Sequence, residues 1–238
     1  MADGAIAGTT PSAASPPVSP PVFPPDVPQG VAAGGDVEKG SIDLTHALDA
    51  EEAPLLYSKA EYLQTASGNK VSRQSVLCGS QNITLAGKSI VKPGVILRGD
   101  LQLLRIGKYV IVGDNSVLRP SYKKYKGNFA FLHMTMTIGD YVTIGPRTII
   151  SASSIGSCVE IGEDCVISKR CVVKENSVIL SGTVLPPDTV VPPLTVFGGV
   201  PGRYLGDLPE STQVLQREHA MLCYRRFQPL ARGQAPPK

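Results

Sequence analysis

The sequence predicts an all-β solenoid, a parallel β-helix of hexapeptide repeats with a C-terminal α-helix. Three observations carry this. In "VEIGEDCVISKRCVVKENSVIL" (159–180) a branched aliphatic residue returns every six positions, at Ile161, Ile167, Val173 and Ile179. Six fits neither the helical period of 3.6 nor the strand period of 2, so it belongs to something larger than one element. Inside each hexad a spacing of two persists, at Cys165/Ile167, Cys171/Val173, Ser177/Ile179 and Thr183/Leu185. Two such side chains of one very short strand face the same way. Turn residues sit between the strands: Gly follows the aliphatic at Ile106, Val112, Ile138, Ile144, Ile155 and Ile161, and Asp or Asn stands at other corners. These residues are read as corner-formers because they tolerate positive φ. Three hexads then make one triangular coil of 18 residues that pairs in parallel with its neighbours.

Residues 1–54 read as a disordered Pro/Ala/Ser-rich tail, with Lys39 alone against eight acidic residues. A segment such as "PSAASPPVSPPVFPPDVPQG" buries too little surface to offset its ordering entropy. It lacks the Arg of a transit peptide and the basic and apolar regions of a secretory signal. The body, 55–238, holds 22 basic and 12 acidic residues, a net +10 that suits an acidic partner. No apolar run approaches the ~20 residues of a membrane span. Five irregularly spaced cysteines fit a reducing compartment.

The solenoid is predicted over 55–205. Its frame is strict from Ile155 to Phe197 and recurs at Ile138, Ile144 and Ile150 and at Ile106, Val112 and Leu118. The five-residue step from Ile150 to Ile155 is a one-residue slip, and 76–105 fits less cleanly. Residues 119–137 are read as an inserted loop. At the far end, Pro186-Pro187 and Pro192-Pro193 stand at successive corners, where they remove donors from the exposed edge. "LPESTQVLQREHAMLCYRRF" (208–227), within a 206–230 unit, is predicted as an amphipathic helix with Leu215, Leu222 and His219 on its apolar stripe. Arg225 and Arg226 stand at its C-terminal end, where cations suit the helix dipole. Residues 231–238 read as a disordered end.

Catalytic chemistry finds little support. "VILRGD" (95–100) with "MTIGDYVTIG" (136–145) is similar to the β-helical zinc carbonic anhydrases, whose three His ligands fall here on Arg119, Pro146 and Ser151. None of these binds zinc in the required way. The three His of the chain are His46, His133 and His219, in the tail, the insertion and the helix. Cys165 and Cys171 take the small inward hexad position shared with Ser177 and Thr183, so they read as core filling rather than metal ligands. An acyltransferase, the alternative reading, needs a general base. "GVPGRYLG" (199–206) resembles the segment closing many such solenoids, and His133 is the candidate base. A lone loop His is a weak motif. No cofactor and no metal is expected.

The insertion carries the interaction signal. "RPSYKKYKGNFAFLHMTMT" interleaves Arg119, Lys123, Lys124 and Lys126 with Tyr122 and Tyr125. Insertions in repeat proteins map to one face, often the binding face. Such patches suit acidic protein surfaces, and also single-stranded nucleic acid.

"YSKAEYLQTASGNKVSRQSVLCGSQNI" (57–83), "RPSYKKYKGNFAF" (119–131) and "TVLPPDTVVPPLTVFGG" (183–199) resemble the dynactin subunit 5 family, and the match runs collinearly over about 55–230. The long N-terminal tail departs from the family's compact start and inherits no role. The resemblance implies a left-handed β-helix and a non-catalytic subunit of the dynactin pointed-end complex, in the cytoplasm and on the cytoskeleton. It implies pairing with a sister β-helix subunit, contact with the pointed-end actin-related protein, and engagement of coiled-coil dynein adaptors in microtubule transport. It implies no nucleic-acid partner and no membrane span.

Overall fold

In the computed structural model, residues 54–124 and 131–230 are described. The readings of the N-terminal tail up to residue 53 and of 231–238 lie outside them. Short strands wind into a parallel solenoid of three sheet faces. The first face holds Val76–Cys78, Ile96–Arg98, Val117–Leu118, Ile149–Ile150, Val166–Ile167 and Val184–Leu185. The second holds Ile83–Gly87, Leu104–Lys108, Met136–Ile138, Ser154–Ile155, Val172–Val173 and Val190–Val191. The third face starts and ends in antiparallel pairs, Tyr62–Gln64 with Lys70–Ser72 and Thr195–Gly198 with Arg203–Asp207. These hairpins cover two ladder ends that would otherwise be open edges.

The six-residue aliphatics point inward in register. Leu97, Leu118, Ile150, Ile167 and Leu185 stack on the first face, and Ile144, Ile161 and Ile179 on the third, all essentially without exposure. The small inward position is filled as expected: Cys165, Cys171, Ser177 and Thr183 are fully buried. Their hydrogens go to corner carbonyls, Thr183 Oγ1 to Leu180 and Cys171 Sγ to Pro186. Burial pushes both thiols up.

Four readings are corrected or sharpened. First, the glycines after the aliphatics do not carry the positive φ. Left-handed backbone falls three residues after the aliphatic, at Tyr109, Asn115, Tyr141, Arg147, Asp164, Asn176 and Leu194 among others. Gly145 and Gly162 are needed because the next coil lies against them: a Cβ would sit 2.5 Å from the amide N of Glu163 and 2.4 Å from that of Ser181. At the slip the corner after Ile150 is one residue short and has no left-handed residue. Second, residues 76–105, placed in the solenoid from the sequence, fit the period less cleanly because of coil length and not of frame. Val71 pairs with Val91 and Val91 with Val112, steps of 20 and 21 residues, so the extra corner residues near 79–82 and 99–103 hide the period of 18. Third, the insertion ends before 136, because Met136 is already a fully buried strand residue opposite Leu104.

The fourth correction is the C-terminal unit. The helix is Thr212–Arg226, preceded by the strand Arg203–Asp207 and followed by Phe227–Pro229, which pairs in parallel with Leu55–Tyr57. Its buried row is Thr212, Gln216 and Ala220; Leu215, His219 and Leu222 are half-buried beside it. The side-chain polar atoms of Thr212 and Gln216 are buried there without a hydrogen-bond partner among the described residues. The helix packs along the third face: Tyr224 Oη donates to Gly68 O at 2.7 Å, and Arg217 stacks 5.2 Å from the Tyr141 ring. Tyr57, Ile90, Ile111 and Phe227 form a second buried cluster beneath it. None of the described helices is long and apolar enough to cross a membrane.

Candidate partner-binding surface

The insertion forms a hairpin on the rim of the first face. Tyr122–Lys124 pairs antiparallel with Phe131–His133, in the register Tyr122 to His133 and Lys123 to Leu132. Its base is held by the solenoid. Arg170 N donates to Ser121 Oγ at 2.9 Å, Met134 N to Ser121 O at 2.7 Å, and Gln102 Nε2 to the His133 carbonyl at 3.3 Å. Arg170 is itself fixed by a two-pronged bond to Asp188, whose carboxyl it holds below the usual range.

Of the predicted residues, Arg119 is exposed at the end of Val117–Leu118, Tyr122 is half-buried, and Lys123 is exposed. Lys124 is placed by its backbone opposite Phe131. Tyr125 and Lys126 lie outside the described residues. Arg119, Tyr122 and His133 come together with Arg98 and Leu101 around an open cleft of about 300 Å³. The Arg119 guanidinium lies 5.9 Å and the Lys169 ammonium 5.1 Å from the centre of the Tyr122 ring. Arg98 binds Asp100 through two bonds of 2.8 Å, which hold the Asp100 carboxyl below its usual range.

Sequence reasoning missed Arg98, Lys169 and Arg170. All three sit in ordinary repeat positions, and only the winding of the coils brings them to the hairpin; no linear signal marks them. His133 faces Tyr122 across the hairpin, ring centres 6.0 Å apart. Among the described residues no three His, Cys, Asp or Glu gather in a way that could hold a metal ion. Arg119 and Ser151, which stand where the zinc enzymes have ligands, are neighbours in the ladder, Arg119 N donating to Ile150 O at 2.9 Å. The arrangement places cations and an aromatic ring on an open cleft, with Arg119 and Lys169 both close to the Tyr122 ring.

Residues 50–233 match the protein-family model described as Dynactin subunit 5. A curated protein of that name from Dictyostelium discoideum is 52% identical over 176 residues, covering 74% of this chain and 88% of the relative. Among solved structures, a hexapeptide transferase family protein from Anaplasma phagocytophilum superposes with a TM-score of 0.52 at 20% identity, over 66% of this chain and 89% of the other. The S84T mutant of AntD, an N-acyltransferase from Bacillus cereus, gives 0.54 at 15% identity, over 72% and 100%. At such identities these structures show the fold alone.

Proposed function

The chain belongs to the dynactin subunit 5 family, and on that premise we propose that it is a non-catalytic structural subunit of the dynactin pointed-end complex. In this reading it works in the cytoplasm, on the cytoskeleton, in dynein-driven microtubule transport. It stands beside a sister β-helix subunit and the pointed-end actin-related protein, and its hairpin docks acidic stretches of coiled-coil adaptors.

One observation carries the docking reading. Arg119, Tyr122, Lys123, Lys124, Tyr125 and Lys126 cluster in the long insertion of an otherwise regular solenoid, on a body of net +10. Arg119 and Tyr122 line a cleft with Arg98. Cations around an aromatic anchor favour association with acidic protein surfaces.

The test is dynactin assembled with Lys123, Lys124 and Lys126 replaced by Glu. Assembly should be intact, because no inward position changes. Adaptor recovery should fall, mainly through a slower association rate, and wild-type recovery should fall with added salt. Undiminished recovery at low salt rejects the hairpin as the docking site. Loss of the subunit from dynactin makes the hairpin an assembly contact instead.

A further inference from the structure

The three faces of the solenoid meet different fates. The third is covered by the terminal helix. The second has Thr84, Arg105, Thr137 and Ser154 at its outward positions, and only its last two, Val172 and Val190, are apolar. The first carries an outward ladder of β-branched residues in unbroken register: Val76, Ile96, Val117, Ile149, Val166 and Val184. Val76 is 50% and Ile149 45% exposed; the others are half-buried. A contiguous outward apolar strip marks an interaction surface, whereas scattered apolar residues need no explanation.

The rim identifies the occupant. Two residues after Ile96 and Val117, on the same side of the sheet, stand Arg98 and Arg119. In the next coils the same column holds Ser151 and Ser168. The outward strand positions of this face hold no Asp or Glu. Asp100, at its edge, is taken up by Arg98, and Asp188 by Arg170. The hairpin with Lys123 and the Lys169–Tyr122 contact stand on the same border.

Length and spacing fit one element. Six strands about 4.8 Å apart give a ladder about 24 Å long, the length of an α-helix of about 16 residues. Side chains on one stripe of a helix recur about every 5.4 Å along its axis, close to the step of the ladder. A peptide strand is a poorer fit, because a sheet face offers side chains, whereas strand addition needs the hydrogen bonds of an edge.

We propose that the first face docks an acidic amphipathic helix of a partner protein, its apolar stripe along the ladder from Val76 to Val184 and its acidic flank against Arg119. This rests on the reading of the chain as a partner-docking subunit, but it uses residues that the hairpin test leaves untouched.

The probe is a synthetic 18-residue helical peptide with a leucine stripe flanked by Glu, titrated into the full-length chain by fluorescence anisotropy. Two controls share its length: a permuted peptide with the stripe broken, and one with Lys in place of Glu. The acidic amphipathic peptide should bind, and at least tenfold more weakly to the double variant Ile149→Thr with Val166→Thr, and to Arg119→Glu. Threonine keeps β-branching, so both chains should show wild-type melting; if the double variant melts early, Ile149→Thr alone serves. The hairpin triple Lys→Glu variant should retain binding through the ladder.

Absent binding, equal binding of either control peptide, or unchanged affinity of the ladder variants overturns the proposal. Self-association in sedimentation that the ladder variant abolishes and the peptide cannot displace overturns it too, in favour of sheet-on-sheet pairing. Failure here together with lost adaptor recovery in the hairpin variant rejects the face and leaves the hairpin reading standing.

Discussion

The ammonium of Lys70, in the first coil, donates to the main-chain carbonyl of Phe227, 157 residues later in the chain. It also donates to the Tyr224 carbonyl at 3.2 Å and lies 4.1 Å from the centre of the Tyr224 ring. Lys70 thus sits at the carbonyl end of the terminal helix, where the helix dipole favours a cation, inside a wall of aromatic rings. Lys70→Met should remove bonds from a charged donor and leave buried carbonyls unmet, at a cost of about 2–4 kcal/mol. Hydrogen exchange of 212–229 should accelerate while that of 138–191 holds. Unchanged protection of the helix would show that Lys70 does not fasten it.

The same cluster sets the alkaline limit. Burial, with Asp114 and Glu61 nearby, pushes the Tyr62 phenol up to about 12, and burial also raises Tyr57 and Tyr224. The folded chain keeps protons that the unfolded chain releases from about pH 10, so this stability is complete below 10 and is lost between 10 and 12. Lys70, lowered by burial, works the opposite way below its ordinary value of 10.5, but it is one group against three. The melting temperature should therefore fall across pH 10–12, less steeply in Tyr62→Phe. A flat profile would contradict this.

Ile161 is 1% exposed within the prism, and Asp there would be an unpaired buried charge costing several kcal/mol, comparable to a typical stability of ~5–15 kcal/mol. Ile161→Asp should not fold. Val190→Thr, outward on the second face at 57% exposure, should melt like the wild type by circular dichroism. Glu160 is a poorer control, because it is half-buried near His219 under the helix.

Gly145→Ala drives a Cβ into the backbone of the next coil and should cost about 1–3 kcal/mol, whereas Gly206→Ala meets nothing within 4 Å and should be silent. Equal denaturation midpoints for the two would show that the coils can separate at no cost.

Cys158, Cys165 and Cys171 are buried with thiols pushed up, while Cys78 and Cys223 are half-exposed. A disulfide reagent at pH 8 should modify two thiols quickly and three only on unfolding, since thiolate and access are both required. Fast reaction of more than two would contradict this burial.

The period of six was legible because every coil repeats one demand: an aliphatic inward, a small residue two before it, a tight corner. A single string shows such a repeat wherever coil length is constant, as from Ile155 to Phe197, and the cationic insertion stands out as its interruption. Positions that look alike in the string were decided in three dimensions. Gly and the left-handed residue share one corner, and only the approach of the neighbouring coil shows that Gly145 is needed for space and Arg147 carries the positive φ. Lys70 and Lys169 carry no linear mark, since their partners are distant in sequence and meet them through winding and through the return of the terminal helix. That helix buries Thr212, Gln216 and Ala220 rather than its leucines, and which row faces in is set by how the helix returns onto the solenoid, which no local periodicity can specify.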